Sequence, residues 1–173
     1  MNPENFEKKI LCVGAGYVGG PTMAVIAAKC PQYKVTAVDV NPERIARWNS
    51  DTLPIYEPGL DDLLGHVMED SLYLVSSFGE APKLDLFLIS VGTPIDMSNR
   101  QPRFSHLEKA IDQISPYYDG SQLVILRSTV SVGTTRKMVV PMLEKRAGEA
   151  VDDRASGDDS PGAVEPAVAF CPE

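Results

Sequence analysis

The chain has 173 residues, of which 43% are hydrophobic, and its formal net charge at pH 7 is −8. This length and composition suit one domain with a substantial apolar core. The acidic balance argues against nucleic acid or an anionic membrane surface as a partner. No apolar segment approaches the roughly 20 residues that span a bilayer. Three cysteines without metal-ligand spacing fit a reduced, cytoplasmic protein with no metal site.

Short apolar runs alternate with amphipathic segments along the chain. Strands are predicted at residues 9–13, 34–38, 72–75, 84–91, 123–126 and 168–170, and helices at 16–28, 42–49, 60–68, 105–114 and 133–145. Asn41-Pro42 is typical of a helix start, and Ser105 to Glu108 matches a capping box. The alternation predicts a single α/β domain with a doubly wound parallel sheet.

Two stretches lack this pattern. Residues 1–8 are interpreted as a leader, and 9–173 as the folded domain. Within that domain, 148–165 holds six acids and one arginine among small residues, with almost nothing to bury. A flexible acidic insertion is predicted there.

A glycine-rich turn follows the first predicted strand, where Gly14-Ala15-Gly16-Tyr17-Val18-Gly19 has the spacing G-x-G-x-x-G. In a Rossmann-type dinucleotide site, Gly14 would allow the tight turn, Gly16 the approach of a pyrophosphate, and Gly19 close packing of the helix on the sheet. The phosphates would lie at the helix N-terminus. Alone, the pattern also fits a glycine turn in another α/β protein, so the decisive companion is an acid about 20 residues further on.

Asp39 is that acid, since it ends the second predicted strand 20 residues after Gly19. Its carboxylate would accept hydrogen bonds from the adenosine ribose hydroxyls, which favours NAD over NADP. The alternative role is a helix cap or a turn residue. Arg44 is able to accommodate a 2′-phosphate, but we expect Asp39 to exclude that phosphate and Arg44 to contact the cofactor's own phosphates. NAD is therefore the predicted cofactor.

Two further turns, Gly92-Thr93-Pro94 and Ser128-Thr129, follow later predicted strands. The carboxyl edge of an open α/β sheet is where ligands bind, although each turn alone also fits simple turn chemistry. His66 and His106 are interpreted as surface residues, and no catalytic serine–histidine–acid set is evident. Cys171 is interpreted as a packing residue.

Several motifs occur together in one order. They are the glycine turn, Val38-Asp39-Val40-Asn41, Leu53-Pro54-Ile55-Tyr56-Glu57-Pro58-Gly59-Leu60, Ser90-Val91-Gly92-Thr93-Pro94 and Ser128-Thr129-Val130. The set resembles the N-terminal NAD-binding domain of the UDP-glucose/GDP-mannose dehydrogenase family, over about 9–146 and 168–173. The Tyr-Glu-Pro-Gly-Leu block is far more specific than the glycine motif. The resemblance implies oxidation of the C6 alcohol of a nucleotide sugar by two NAD, through an aldehyde and a cysteine-bound thioester.

The resemblance also implies roles for particular residues. Thr129 and Glu173 match residues that position catalytic water and substrate. The implied cofactor contacts are Gly14, Ala15, Gly16, Tyr17, Val18, Gly19, Asp39, Arg44, Val91, Gly92, Thr93, Pro94, Ser128 and Thr129.

Three departures from the family pattern qualify this interpretation. Ser131 replaces a frequent proline, and Cys171 replaces the asparagine usual in UDP-glucose enzymes. The sequence Cys-Pro-Glu is more similar to the UDP-N-acetylmannosamine branch, so both UDP-sugars stay open as substrates. The resemblance also implies that the catalytic cysteine and lysine, the central domain and the sugar-binding domain lie outside this sequence.

We therefore expect this polypeptide to bind NAD without full turnover, and the full-length enzyme to be a homo-oligomer. Two alternatives are a non-catalytic NAD-binding or regulatory module and the cofactor domain of a 3-hydroxyacid-type dehydrogenase.

Overall fold

A computed structural model of the chain describes residues 6–77, 83–145 and 167–170. Six strands form one sheet: β1 (Lys8–Val13), β2 (Tyr33–Val38), β3 (Leu72–Val75), β4 (Leu86–Ile89), β5 (Leu123–Leu126) and β6 (Val168–Phe170). Every neighbouring pair is parallel, and the order across the sheet is β3-β2-β1-β4-β5-β6. This is the doubly wound order of a Rossmann fold, so the predicted fold class is confirmed.

Helices cover both faces of the sheet. They are α1 (Gly19–Lys29), α2 (Pro42–Trp48), α3 (Leu60–Val67), α4 (Ser105–Ile114) and α5 (residues 134–145), whose first part, Thr135–Val139, is π-helical. The first three helices share one buried cluster, and α4 and α5 share the other. Side chains of β1 alternate between them, because Ile10 and Cys12 face the first cluster while Leu11 and Val13 face the second. Burial on both faces explains the almost continuous apolar runs of the strands.

The structure changes some predicted boundaries. Helix α1 begins at Gly19 rather than at residue 16, and β4 covers four residues rather than the predicted 84–91. Asn41 caps α2 as predicted, since its side-chain oxygen accepts hydrogen bonds from the N–H groups of Glu43 and Arg44.

The predicted capping box at Ser105 is wrong. Phe104 occupies the N-cap position, with no side-chain cap, and Ser105 is the first helical residue. A serine that already has helical backbone angles cannot also serve as the extended residue before the helix. The first turn is instead closed through the backbone, where the Glu108 N–H donates to the Phe104 carbonyl at 2.9 Å.

Several predictions lie outside the described residues: those for most of the leader, for the insertion 148–165, and for Cys171 and Glu173. Within the described ranges, no helix combines the length and apolar character that crossing a membrane requires.

Candidate functional site

A cavity of about 540 Å³ opens at the carboxyl edge of the sheet, beside the point between β1 and β4 where the strand order reverses. Ligands of open α/β sheets bind at this position. All the predicted cofactor contacts line the cavity except Ala15, Gly19 and Pro94. The walls are Val13, Gly14, Gly16, Tyr17, Val18, Val38, Asp39, Val40, Asn41, Arg44, Ser90, Val91, Gly92, Thr93, His106, Lys109, Ala110, Gln113, Arg127, Ser128 and Thr129.

The three glycines of the turn have different surroundings. Gly14 has a φ of +103°, and a Cβ there would overlap the carbonyl oxygen of Ser90. At Gly19 a Cβ would overlap the Gly14 carbonyl oxygen, whereas at Gly16 it would meet nothing within 4 Å. Two glycines are therefore required by the architecture of the protein, and Gly16 leaves open space on the cavity wall.

Asp39 is buried at the end of β2, with 5% of its surface exposed. Its Oδ2 accepts a hydrogen bond from the Ala15 N–H at 2.9 Å, and its Oδ1 accepts one from the Asn41 N–H at 2.9 Å. Arg44 Nη1 also lies 2.8 Å from Oδ2. The structure thus places Arg44 on this carboxylate, while its contact with the cofactor phosphates stays a prediction.

The ends of β4 and β5 are joined by two hydroxyl groups. Ser128 is buried, and its Oγ accepts a hydrogen bond from the Val91 N–H at 3.0 Å. The Thr93 hydroxyl donates to the carbonyl oxygen of Thr129. These bonds bring the two predicted turns together on one wall of the cavity.

Helix α4 supplies a wall that the sequence interpretation missed. His106, Lys109 and Gln113 recur at helical spacing and line the cavity beside the buried face of the helix. His106 is exposed, as predicted, but its Nδ1 lies 3.0 Å from the Gly92 carbonyl oxygen. Because a carbonyl oxygen only accepts, Nδ1 is the donor in this contact. The sequence held one signal for this wall, because α4 is the first helix after the turn at residues 92–94.

A buried thiol lies below the glycine turn. Cys12 is fully buried in β1, and its Sγ is 3.5 Å from the Gly14 carbonyl oxygen. Burial, and secondarily the negative charge of Asp39, raise the pKa of this thiol to about 12. Cys12 is thus an unreactive packing residue. The residues described contain no group of three or more histidine, cysteine or acidic side chains able to hold a metal ion.

The family description "UDP-glucose/GDP-mannose dehydrogenase family, NAD binding domain" matches residues 8–173. The chain belongs to this family. Its cofactor is NAD.

The chain is also similar to individual dehydrogenases, both in sequence and in structure. UDP-glucose 6-dehydrogenase of Caenorhabditis elegans is 46% identical over 129 residues, which are 72% of this chain and 27% of that protein. UDP-D-ManNAc dehydrogenase of Pyrococcus horikoshii superposes with a TM-score of 0.78 at 32% identity, covering 95% of this chain and 36% of that one. GDP-mannose dehydrogenase of Pseudomonas aeruginosa gives 0.76 at 29% identity, with 95% and 36% covered. The chain spans about a quarter of the length of the curated relatives it matches.

The cavity of this NAD-binding domain has an excess of positive side chains, which suits a negatively charged cofactor. Arg44, Lys109 and Arg127 line it, against the single carboxylate of Asp39, although the whole chain has a net charge of −8. Helix α1 begins beside the cavity and has no acid in its first turn, so its positive dipole end is uncompensated. A doubly charged pyrophosphate fits these surroundings.

Proposed function

We propose that this chain is the NAD-holding part of a nucleotide-sugar dehydrogenase that oxidises the C6 alcohol of a UDP-sugar to the uronate. One observation carries the proposal: the cavity at the strand reversal joins the open face of Gly16 to the buried carboxylate of Asp39. NAD would accept the hydride from the sugar. Conversion of a primary alcohol to a carboxylate removes four electrons as two hydrides, which requires two NAD per sugar.

UDP-glucose is the substrate that we favour for the complete enzyme. The Caenorhabditis elegans relative bears that name at 46% identity. UDP-N-acetylmannosamine is the second candidate, since the sequence Cys171-Pro172-Glu173 resembles that branch and the Pyrococcus horikoshii enzyme is a structural neighbour.

The residues would divide the work along the cavity. The backbone from Gly16 to Val18 would bind the pyrophosphate at the start of α1. Asp39 would accept hydrogen bonds from the ribose hydroxyls, and its negative charge would exclude a 2′-phosphate. Thr129 and Glu173 would position water and substrate, because a carboxylate near a thioester is able to orient or deprotonate the attacking water.

The remaining proposals concern the complete protein. A polypeptide of residues 1–173 would bind NAD without full turnover, because the catalytic cysteine and lysine belong to other parts of the enzyme. We place the enzyme in the cytoplasm, as a homo-oligomer with no nucleic acid or membrane partner.

Two measurements test the proposal in sequence. Calorimetric titration of this chain should show tighter binding of NAD than of NADP, and an absence of NAD binding would refute the cofactor role. The complete gene product should then form two NADH per UDP-glucose or UDP-N-acetylmannosamine, with GDP-mannose and a 3-hydroxyacid as comparison substrates. NAD binding without oxidation of any of these would instead indicate a regulatory module.

A further inference from the structure

Trp48, the single tryptophan of the sequence, connects α2 to the glycine turn. It is the last residue of α2 and is 2% exposed. Its indole Nε1–H donates a buried hydrogen bond of 2.8 Å to the carbonyl oxygen of Ala15, the residue between the first two glycines of the turn. Trp48 does not itself line the cavity.

Ala15 is fixed through both of its backbone groups. Its N–H donates to Asp39 Oδ2 at 2.9 Å, and its carbonyl accepts from Trp48. Ala15 is fully buried, so both hydrogen bonds are shielded from water. Either group, if left unpaired at this depth, would incur a desolvation penalty.

The bond to Trp48 sets the direction of the next N–H group. No peptide bond in the described ranges is cis, and in a trans peptide the C=O and the following N–H point in opposite directions. Because the Ala15 carbonyl points to the indole, the Gly16 N–H points away from Trp48. Among the residues that the structure describes, this N–H has no hydrogen-bond acceptor, and Gly16 lines the cavity.

Helix α1 fixes the same indole from a second side. A Cβ at Gly20 would overlap the six-membered ring of Trp48. The ring therefore lies directly on the first turn of α1, and only a glycine at position 20 allows this contact. Trp48 thus sets the position of the glycine turn relative to the helix that follows it.

We propose that Trp48 is a positioning residue for the NAD pyrophosphate, acting through the Ala15 carbonyl to hold the Gly16 N–H toward the ligand. The proposal rests on NAD binding by this chain, and it assigns Trp48 a role in affinity beyond its burial in the core. Among the described residues, the indole N–H bonds to Ala15 and not to Asp39 or to the residues that follow β4 and β5, so we expect its effect to concern the phosphates.

The first test is Trp48→Phe, which keeps an aromatic ring and removes the N–H donor. NMR titrations of the variant and the unmutated chain would measure the Kd values of NAD, ADP and adenosine. NAD and ADP should bind about fivefold more weakly to the variant, the effect of losing one net hydrogen bond, while adenosine affinity stays unchanged. Unchanged NAD affinity, or an equal loss for adenosine, would overturn the proposal.

A matched pair of glycine variants tests the same contact from α1. Gly20→Ala should displace the indole and reproduce the selective loss of NAD and ADP affinity. Gly65→Ala, in α3, is the control, because a Cβ there meets nothing within 4 Å. Equal NAD affinities of the two variants would contradict the proposal.

The unmutated chain gives a readout that does not depend on how variants fold. Its single tryptophan yields one indole N–H resonance, whose hydrogen exchange reports opening of the bond to Ala15. NAD and ADP should slow this exchange, and adenosine should not. If NAD binds without slowing it, Trp48 is not coupled to the pyrophosphate. If NAD does not bind, the proposed function fails instead.

Discussion

The two sides of the cavity are built differently. On the side of β1 and β2, the glycine turn is held by a buried carboxylate and a buried indole, both bonded to Ala15. On the side of β4 and β5, the strand ends are joined by hydroxyl groups of Thr93 and Ser128 bonded to backbone. The glycine turn is thus held by a buried charged group and an indole, whereas the hydroxyl groups that join the second pair of strand ends are neutral.

The loop that follows β4 differs from the glycine turn, because hydrogen bonds among its own residues hold it. Asp96 accepts hydrogen bonds from Ser98 and from the guanidinium of Arg103. The bonds from the Ser98 side chain and then from Arg103 hold the pKa of Asp96 below its usual value. The loop after β4 is therefore held by polar contacts among its own residues, whereas the glycine turn is held by side chains from distant elements.

The largest expected effect is that of Gly14→Ala, which adds a side chain at a φ of +103° and against the Ser90 carbonyl. Strain and overpacking together should lower the free energy of unfolding by about 3 kcal/mol. NAD binding should be lost with it. Chemical denaturation and calorimetric titration measure the two effects.

Gly16→Ala is the matched control on the same turn. Its Cβ would meet nothing within 4 Å, so stability should stay within about 0.5 kcal/mol of the unmutated chain. NAD should nevertheless bind at least tenfold more weakly, since the methyl group would occupy the space proposed for the pyrophosphate. If Gly16→Ala binds NAD normally, the pyrophosphate does not lie against this turn.

Asp39→Ala should have the next largest effect. It leaves the buried Ala15 N–H without its acceptor, which should cost about 2 kcal/mol of stability. It also frees Arg44 to meet a 2′-phosphate, so the preference for NAD over NADP should shrink or reverse. Titration with both cofactors measures this preference.

Asp85→Asn, at the amino edge of the same sheet, is the comparison for that variant. Asp85 also pairs with the backbone, accepting from the Lys9 N–H at 2.9 Å, but far from the cavity. Asp85→Asn should therefore leave the preference for NAD over NADP unchanged. Equal NAD and NADP affinities in the unmutated chain would refute the role of Asp39.

Ser128→Ala should have a smaller effect, because it removes one neutral hydrogen bond from the second wall. Loss of the Val91 N–H partner should cost about 1 kcal/mol of stability. NAD affinity should fall less than in Asp39→Ala. A loss as large as that of Asp39→Ala would mean that the two walls contribute equally to cofactor binding.

The smallest effect is expected for the alkylation of Cys12 at pH 8, which should be very slow. Its pKa of about 12 means that about one thiol in ten thousand is ionised at that pH, and burial blocks the reagent as well. Mass spectrometry should find Cys12 unmodified while the native chain is folded, and Cys30, which is partly exposed, should react before Cys12 does. Rapid alkylation of Cys12 would show that the glycine turn opens readily.

Features that depend on local patterns could be predicted from the amino-acid sequence. Apolar runs and glycine spacing predicted the strands, the turn and the position of Asp39, because strand burial and a positive φ at Gly14 restrict the residue types at each position. The order of motifs predicted the family. Helix ends were predicted less well, since the backbone at Phe104 and Ser105 depends on how the preceding loop approaches α4.

The contacts that hold the site together could not be predicted in this way, because they join residues that are distant in the sequence. Trp48 and Ala15 are 33 residues apart, and Ser128 is 37 residues from Val91. Neither pair shares a local pattern, so each partner depends on how helices and strand ends pack in three dimensions. The same packing turned His106 from a predicted surface residue into part of the cavity wall. Spacing along the chain identifies which residues a dinucleotide turn requires, but close packing of distant elements determines which way its N–H groups point.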